Sequence, residues 1–211
     1  MQRVWRRFTI EKILRTKKDN TPISGVIKET IEDNIQLPAL FMSYKLPSQT
    51  HPDSYALDLL NQVLSGGNSS RINKTIVEKK ELAMFAFSFN YALEDAGLGI
   101  MAAIAANGVS LDTIQSEFDK QIKRVKEELI SQEEFEKIRN QYENNFVSSN
   151  STIAGISENL ANNHVYFGSA EKINTELAEY MKITREDIKR VANKYYTQDS
   201  RIILHYVPKA K

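Results

Sequence analysis

The chain has 211 residues, a formal net charge of +1, 26% charged residues and no cysteine. A chain of this length can bury a core without covalent cross-links, in one large domain or two small ones. The lack of cysteine excludes disulfides and thiolate metal sites. The near-neutral charge excludes a general attraction to nucleic acid, and no apolar run has the roughly 18 residues that a membrane span needs.

The first twenty residues are strongly basic. Their cations are Arg3, Arg6, Arg7, Lys12, Arg15, Lys17 and Lys18, against Glu11 and Asp19. The pattern predicts a short amphipathic helix over residues 1–15, followed by a polar linker, "KKDNTPISG". No aromatic residues interleave in a stacking order, so we interpret the charge as a solvated helix face rather than a nucleic-acid contact.

The next eighty-odd residues alternate short strands and helices. The predicted elements are strands in "VIKETIED" and "LPALFMSYKLP", a helix from Pro52–Asp53 to Gly66–Gly67, and a second helix capped by Asn68 or Ser69 that runs to about Lys79. A hairpin follows, with strands over 84–93 and 98–105. In its first strand Phe85, Phe87, Phe89 and Tyr91 alternate with small or polar residues, which is the period of two that a strand requires.

The remainder is predicted to be helical, except for a last strand in "SRIILHYVP". Ser110 caps one helix, Ser131 and Glu134 form a capping box for the next, and Thr184 with Asp187 opens the last one. Ile153, Ile156, Leu160, His164 and Phe167 make a further apolar stripe. This order of elements predicts an α+β domain with a mostly antiparallel sheet packed against several helices.

The glycine-rich stretch "VLSGGNSSRINKT" shares its composition with a phosphate-binding loop. Such a loop follows a strand and has the spacing G-x-x-x-x-G-K-[ST]. Here a helix precedes Gly66 and Gly67, and that spacing does not occur. The stretch therefore predicts a corner between two helices and not a nucleotide site.

No catalytic group stands out from the residue pattern. No two of the histidines, His51, His164 and His205, lie three or four residues apart, so a helical zinc motif is excluded. His164 lies on an apolar stripe, which favours a buried or half-buried structural histidine. No serine has the G-x-S-x-G context of a nucleophile, and the glutamate clusters of the later helices are typical of solvated faces.

Several segments in order resemble the second half of bacterial insulinase/pitrilysin-type zinc peptidases. They are "HPDSYALDLLNQVLSGGNSSRI", "VEKKELA", "EDAGLGIMAAIA", "SQEEFEKIRNQYENNF" and "TREDIKRVANKYYT". The resemblance covers about residues 22–208. Its most specific part is the corner motif formed by Gly66, Gly67, Ser69, Ser70 and Arg71, to which the resemblance assigns a structural role.

The resemblance implies an architecture of paired homologous α+β domains that face each other like a clam shell. The first domain carries a His-x-x-Glu-His zinc motif, and the second carries no metal but completes the peptide-binding chamber. This chain is similar to the second domain, so residues 1–21 are predicted to be the tail of the preceding domain and a linker, and residues 22–211 the non-catalytic domain. Zinc is then expected in the domain that this chain lacks, with no cofactor here. Bacterial members of the family are often periplasmic or membrane-associated, while the sequence itself does not indicate a compartment.

One departure from the family pattern bears on function. In many members of this family, the second domain presents an arginine and, seven residues later, a tyrosine to the substrate near the zinc. The matching positions in this chain are Val77 and Met84. Neither side chain donates the hydrogen bonds of that pair to a peptide or oxyanion. The departure fits a zinc-bearing chain whose partner chain supplies arginine and tyrosine. It also fits a structural or assembly module of a doubly inactive homologue. An enzyme with an unrecognised site of its own is the remaining alternative.

Overall fold

The structure is a computed structural model that describes residue 21 and residues 23–209. Its strands are β1 (Gly25–Asp33), β2 (Ala39–Leu46), β3 (Ala83–Ala92), β4 (Gly97–Ala105) and β5 (Ser200–Pro208). Its α-helices are α1 (Asp53–Ser65), α2 (Leu111–Glu127), α3 (Gln132–Ser149), α4 (Ile153–Phe167), α5 (Glu176–Lys182) and α6 (Arg185–Tyr195). The helix predicted over residues 1–15 lies outside the described residues.

The five strands form one sheet in the order β1-β5-β2-β4-β3. The β1–β5 pair is parallel, and the other three pairs are antiparallel. The last strand of the chain therefore lies inside the sheet, between the first two strands. This arrangement confirms the predicted α+β class with a mostly antiparallel sheet.

Helices cover one face of the sheet, where α1 packs against the edge strand β3 and where α2 and α6 pack against the inner strands β2 and β4. The core between them is built from alternate strand residues and the apolar stripes of these helices. Fully buried members are Leu40, Met42, Tyr44, Leu59, Leu60, Met101, Ile114, Phe118, Ile188 and Val191. The side chain of Ser110 caps α2, and Thr184 with Asp187 forms the predicted capping box of α6.

The small side chains of β3, and not its aromatic ones, face the helices. Ala86 and Ser88 are buried, and the Ser88 hydroxyl donates to Asn61 Oδ1 of α1 at 2.7 Å. Asn90 Nδ2 donates to Asp58 Oδ1 of the same helix at 3.0 Å. Because α1 approaches this strand closely, only small or hydrogen-bonding residues fit between them. The bulky residues are consequently left on the opposite face.

The second predicted helix differs from the expected α-helix. Residues Asn73–Lys79 form a π-helix, in which the Lys80 amide donates to the Thr75 carbonyl at 3.2 Å. Such segments are rare and are frequently found at functional sites. Glu81, two residues after the end of this segment, is the one described non-glycine residue with positive φ (50°).

The apolar stripe of α4 does not reach the core. Asn163 is the helix's buried residue, while Ile153 is 87% and Val165 67% exposed. His164 is exposed as well, so the prediction of a buried or half-buried histidine is wrong. The periodicity correctly located a helix, but the helix projects from the layer that covers the sheet.

Candidate functional site: the open sheet face and the adjoining corner

The corner that follows α1 depends on both of its glycines. The Gly66 amide donates to the Gln62 carbonyl at 2.8 Å, and a Cβ at Gly66 would lie 2.4 Å from that oxygen. Gly67 has φ +93°, a conformation that L side chains rarely adopt. The left-handed residue that ends the helix is therefore Gly67, and Gly66 is required by close contact.

Arg71 fastens this corner to the start of α3. Its Nε and Nη2 donate to the two carboxylate oxygens of Glu134 at 2.9 and 2.7 Å. Lys137, one turn further along α3, donates to the Ser69 hydroxyl. Ser70 is buried beneath them. The five motif residues thus sit at a joint between α1, the π-helix and α3.

The same contact explains why one predicted cap is only half formed. The Ser131 hydroxyl accepts from the Glu134 amide at 3.1 Å, as a capping box requires. The Glu134 carboxylate does not return to the Ser131 backbone because it binds Arg71 instead. The ion pair with Arg71 therefore takes the place of the second hydrogen bond of the capping box.

Val77 and Met84 have different environments. Val77 lies on the π-helix, is partly buried and packs against the core. Met84 is 65% exposed at the start of β3. The register passes from the Ala83–Ala105 pair directly to Phe85–Ile104, so Met84 occupies a β-bulge without a cross-strand partner. Bulges re-aim side chains and are over-represented next to functional sites.

Beside Met84, an apolar surface runs across the sheet on the side away from the helices; we call it the open sheet face. The aromatic row of β3 forms its edge: the Phe85 and Phe87 ring centroids are 5.1 Å apart, and those of Phe87 and Phe89 5.8 Å apart. Tyr91 of β3 is exposed on the same side, and the exposed members in the other strands are Ile104, Phe41, Ile202, Ile27 and Ile31. An exposed apolar patch of this extent is typical of a binding or interaction surface.

Ion pairs hold the opposite, helical side together. Asp53, at the start of α1, accepts from Arg190 Nη1 and Tyr195 Oη at 2.7 Å and from Lys194 Nζ at 2.8 Å. Burial opposes its ionisation, but these hydrogen bonds prevail and hold the pKa of its carboxyl well below the usual range. Asp58 lies one turn further along α1, where burial raises its pKa although Asn90 and Tyr180 donate to it. These groups join α1 to β3, α5 and α6.

The histidines are dispersed in the fold. His205 lies on the helix-facing side of β5 with Nε2 3.9 Å from Asp112 Oδ1, while His51 Nδ1 accepts from the Asp53 amide at 3.0 Å. Over residue 21 and residues 23–209, no three His, Asp or Glu side chains are grouped so that they could hold a metal ion. Within the same range, no helix has the length and apolarity to cross a membrane.

The family assignment follows from a comparison with known protein families. The model of the family described as "Peptidase M16 inactive domain" matches residues 8–142. The chain belongs to this family. The match starts within the segment predicted to precede the domain, and the boundary between residues 21 and 22 stays a prediction.

Named relatives of this M16 inactive domain are zinc proteases. The zinc protease PqqE of Helicobacter pylori is 29% identical over 179 residues, which are 82% of this chain and 39% of PqqE. This chain thus spans about two fifths of that relative's length.

Solved structures show the same fold. A protease from Helicobacter pylori superposes with a TM-score of 0.89 at 23% identity, covering 95% of this chain and 49% of that one. A peptidase M16 inactive domain from Pseudomonas fluorescens gives 0.75 at 18% identity, covering 93% and 46%. This M16 inactive domain therefore corresponds to roughly half of each of these two solved chains.

The sequence located the hairpin, and the open side was predicted at Met84 and its alternate neighbours; Ala86 and Ser88 of that row are instead buried against α1. The signal was present in the alternation of phenylalanine with alanine and serine along β3. Alternation alone does not say which side is covered. The covered side was decided by α1, which leaves room only for the small residues.

Proposed function

We propose that this M16 inactive domain is the non-catalytic half of a zinc peptidase, and that its open sheet face closes a peptide-binding chamber opposite a His-x-x-Glu-His domain. The observation that carries the proposal is the uncovered apolar face bordered by Phe85, Phe87 and Phe89. The partner domain is either part of the same polypeptide or a second chain. The length of PqqE beyond the matched part supports the first arrangement.

The chemistry of this face suits binding rather than catalysis. Burial of apolar surface contributes about 25 cal/mol of favourable free energy per Å² removed from water. Because this contribution has no directional requirement, such a face can bind peptides of varied sequence. Met84 lies exposed at the edge of this face, and its side chain has no donor that could hydrogen-bond to an oxyanion. Stabilisation of the transition state therefore falls to the zinc-bearing domain and to a partner chain that retains arginine and tyrosine.

The decisive experiment is reconstitution. The chain alone should bind no stoichiometric zinc, as measured by elemental analysis, and should cleave no peptide. Combined with the zinc-bearing domain and the arginine- and tyrosine-bearing chain, it should form a complex on size exclusion and restore hydrolysis of an unstructured peptide. Full activity without this chain would refute the proposal, as would one tightly bound zinc in the chain alone.

A matched pair of variants tests the open sheet face itself. Phe89→Asp, on that face, should lower the activity of the complete set at least tenfold. Leu129→Asp, at a 42% exposed apolar position between α2 and α3, should leave it unchanged. Equal effects of the two variants would show that the face has no special role.

The loss of the arginine–tyrosine pair also favours a second function, that of a structural module in a doubly inactive homologue. The two functions differ in what the native gene encodes ahead of this domain. A His-x-x-Glu-His motif there supports the peptidase. A degenerate motif, together with complex formation without hydrolysis, supports the assembly role.

A further inference from the structure

A cavity of about 300 Å³ lies where the π-helix, α2 and α3 meet. Its charged lining residues are Arg71, Lys74, Lys79, Arg124 and Glu134, which give the lining a net charge of +3. Both carboxylate oxygens of Glu134 accept from Arg71. The acid is therefore used by one cation, and three cations line the cavity without it.

These three cations, Lys74, Lys79 and Arg124, have no counter-charge. Among the residues that the structure describes, none of the three forms an ion pair or a side-chain hydrogen bond. Glu117 of α2 is already bound by two other lysines, at 2.8 and 2.7 Å. Glu78 of the π-helix is not part of the lining. The positive charge in the cavity is thus left for an anion from outside the described chain.

The π-helix brings Lys74 and Lys79 into the cavity together. Its hydrogen bonds join residues about five apart, so two residues at that spacing lie one turn apart on nearly the same side. In an α-helix, with 3.6 residues per turn, the same two side chains would point about 140° apart. On α2, Gln121 and Arg124 are three residues apart and share a face. Two helices therefore direct polar and basic side chains into one space.

Two buried polar atoms of the lining residues have no hydrogen-bond partner among the described residues. They are Arg71 Nη1 and Gln121 Oε1, and Gln121 is only 3% exposed. Buried polar groups are nearly always hydrogen-bonded, and an exception points to a bound ion or water. An oxyanion would accept from Arg71 Nη1, and a half-turn of the Gln121 amide would present its N–H to the same anion.

We propose that this cavity binds a small phosphate-bearing anion with several negative charges. Three unpaired cations exceed what one carboxylate balances, and their N–H groups outnumber its two oxygens. A diphosphate or triphosphate has the charge and the oxygens that arginine and lysine donors match. The volume of about 300 Å³ is at the lower end of small-molecule sites. The site uses no residue of the open sheet face, so it is independent of the function proposed above.

The test is calorimetric titration of the full chain with tripolyphosphate, pyrophosphate and inorganic phosphate at low salt. Tripolyphosphate should bind at one site per chain, with affinity falling along the series as the charge falls, and added salt should weaken it. Lys74→Gln combined with Lys79→Gln should weaken binding at least tenfold. Tripolyphosphate should also raise the melting temperature of the unmodified chain and not that of this variant, because binding to the folded state stabilises it.

The matched control is Lys28→Gln combined with Lys182→Gln, which removes the same charge from exposed ion pairs outside the cavity. It should change the affinity less than twofold, and circular dichroism melts establish that both variants are folded. Equal weakening in the two variants would overturn the proposal, because binding would then follow net charge alone. No binding at millimolar tripolyphosphate would overturn it as well. Citrate that binds as tightly as tripolyphosphate would refute the assignment to phosphate.

Discussion

Arg71 and Glu134 lie 63 residues apart and form a two-bond ion pair that joins the glycine corner to α3. Both side chains are largely buried, at 15% and 28% exposure. An arginine fork matches a carboxylate in a way that a lysine ammonium cannot. The motif arginine therefore has a mechanical role in this chain, as the link that fixes where the π-helix begins.

This link predicts that Arg71→Lys and Glu134→Gln each lower the free energy of unfolding by about 1–2 kcal/mol, because a partly buried charge loses its bidentate partner. Urea denaturation of the single and double variants measures the coupling. The double variant should lose clearly less than the sum of the two. Strict additivity would show that the pair contributes nothing as a pair.

Unlike the substitutions at Arg71 and Glu134, a substitution of Glu81 by glycine should not lower the free energy of unfolding. Its positive φ of 50° costs a non-glycine residue about 1 kcal/mol. Glu81→Gly should therefore leave stability unchanged or raise it by up to about 1 kcal/mol, since the greater entropy of the unfolded glycine offsets part of the gain. Lys80→Gly is the control, because Lys80 has φ −105°; it should destabilise by about 0.5–1 kcal/mol. Thermal melts that rank the two variants the other way would contradict the strain at Glu81.

Val77 and Met84 should respond differently to the same new residue. Met84→Arg should change stability by less than about 0.5 kcal/mol, because the side chain is 65% exposed. Val77→Arg should cost about 1–3 kcal/mol, because it places a charge where Val77 packs against the core. Equal tolerance in denaturation would show that Val77 faces the proposed chamber after all. Met84→Tyr, which restores the family residue, should be tolerated as Met84→Arg is.

His205 predicts a dependence of stability on pH. Burial and the nearby Lys28 lower the pKa of its imidazole, although Asp112 opposes them. The unfolded chain then binds more protons than the folded one, so this contribution is complete above the ordinary pKa of about 6.5 and is lost as the pH falls below it. His205→Gln should flatten that part of the stability–pH curve. His164→Gln, at an exposed position, is the control and should not change the curve; identical curves for both variants would contradict the assignment.

The sequence by itself determined the elements whose signals are local. The alternation from Phe85 to Tyr91 specified β3, and the caps at Ser110 and Thr184 specified where α2 and α6 begin. These signals depend on hydrogen bonds and periodicities within a few residues, so they hold whatever packs nearby. The α+β class followed from the order of such elements, and the corner after α1 followed from the conformational freedom of glycine, which Gly67 uses.

Only the tertiary structure decided which face of each element is covered. The alternation in β3 identifies two faces, but the approach of α1 buries the alanines and leaves the phenylalanines open. The stripe of α4 identifies a helix, but the described fold provides no surface to cover it. Glu134 carries a helix-start signal, yet it binds Arg71, which is far away in the sequence. In each case the partner comes from a distant part of the chain, and periodicity carries no information about distant partners.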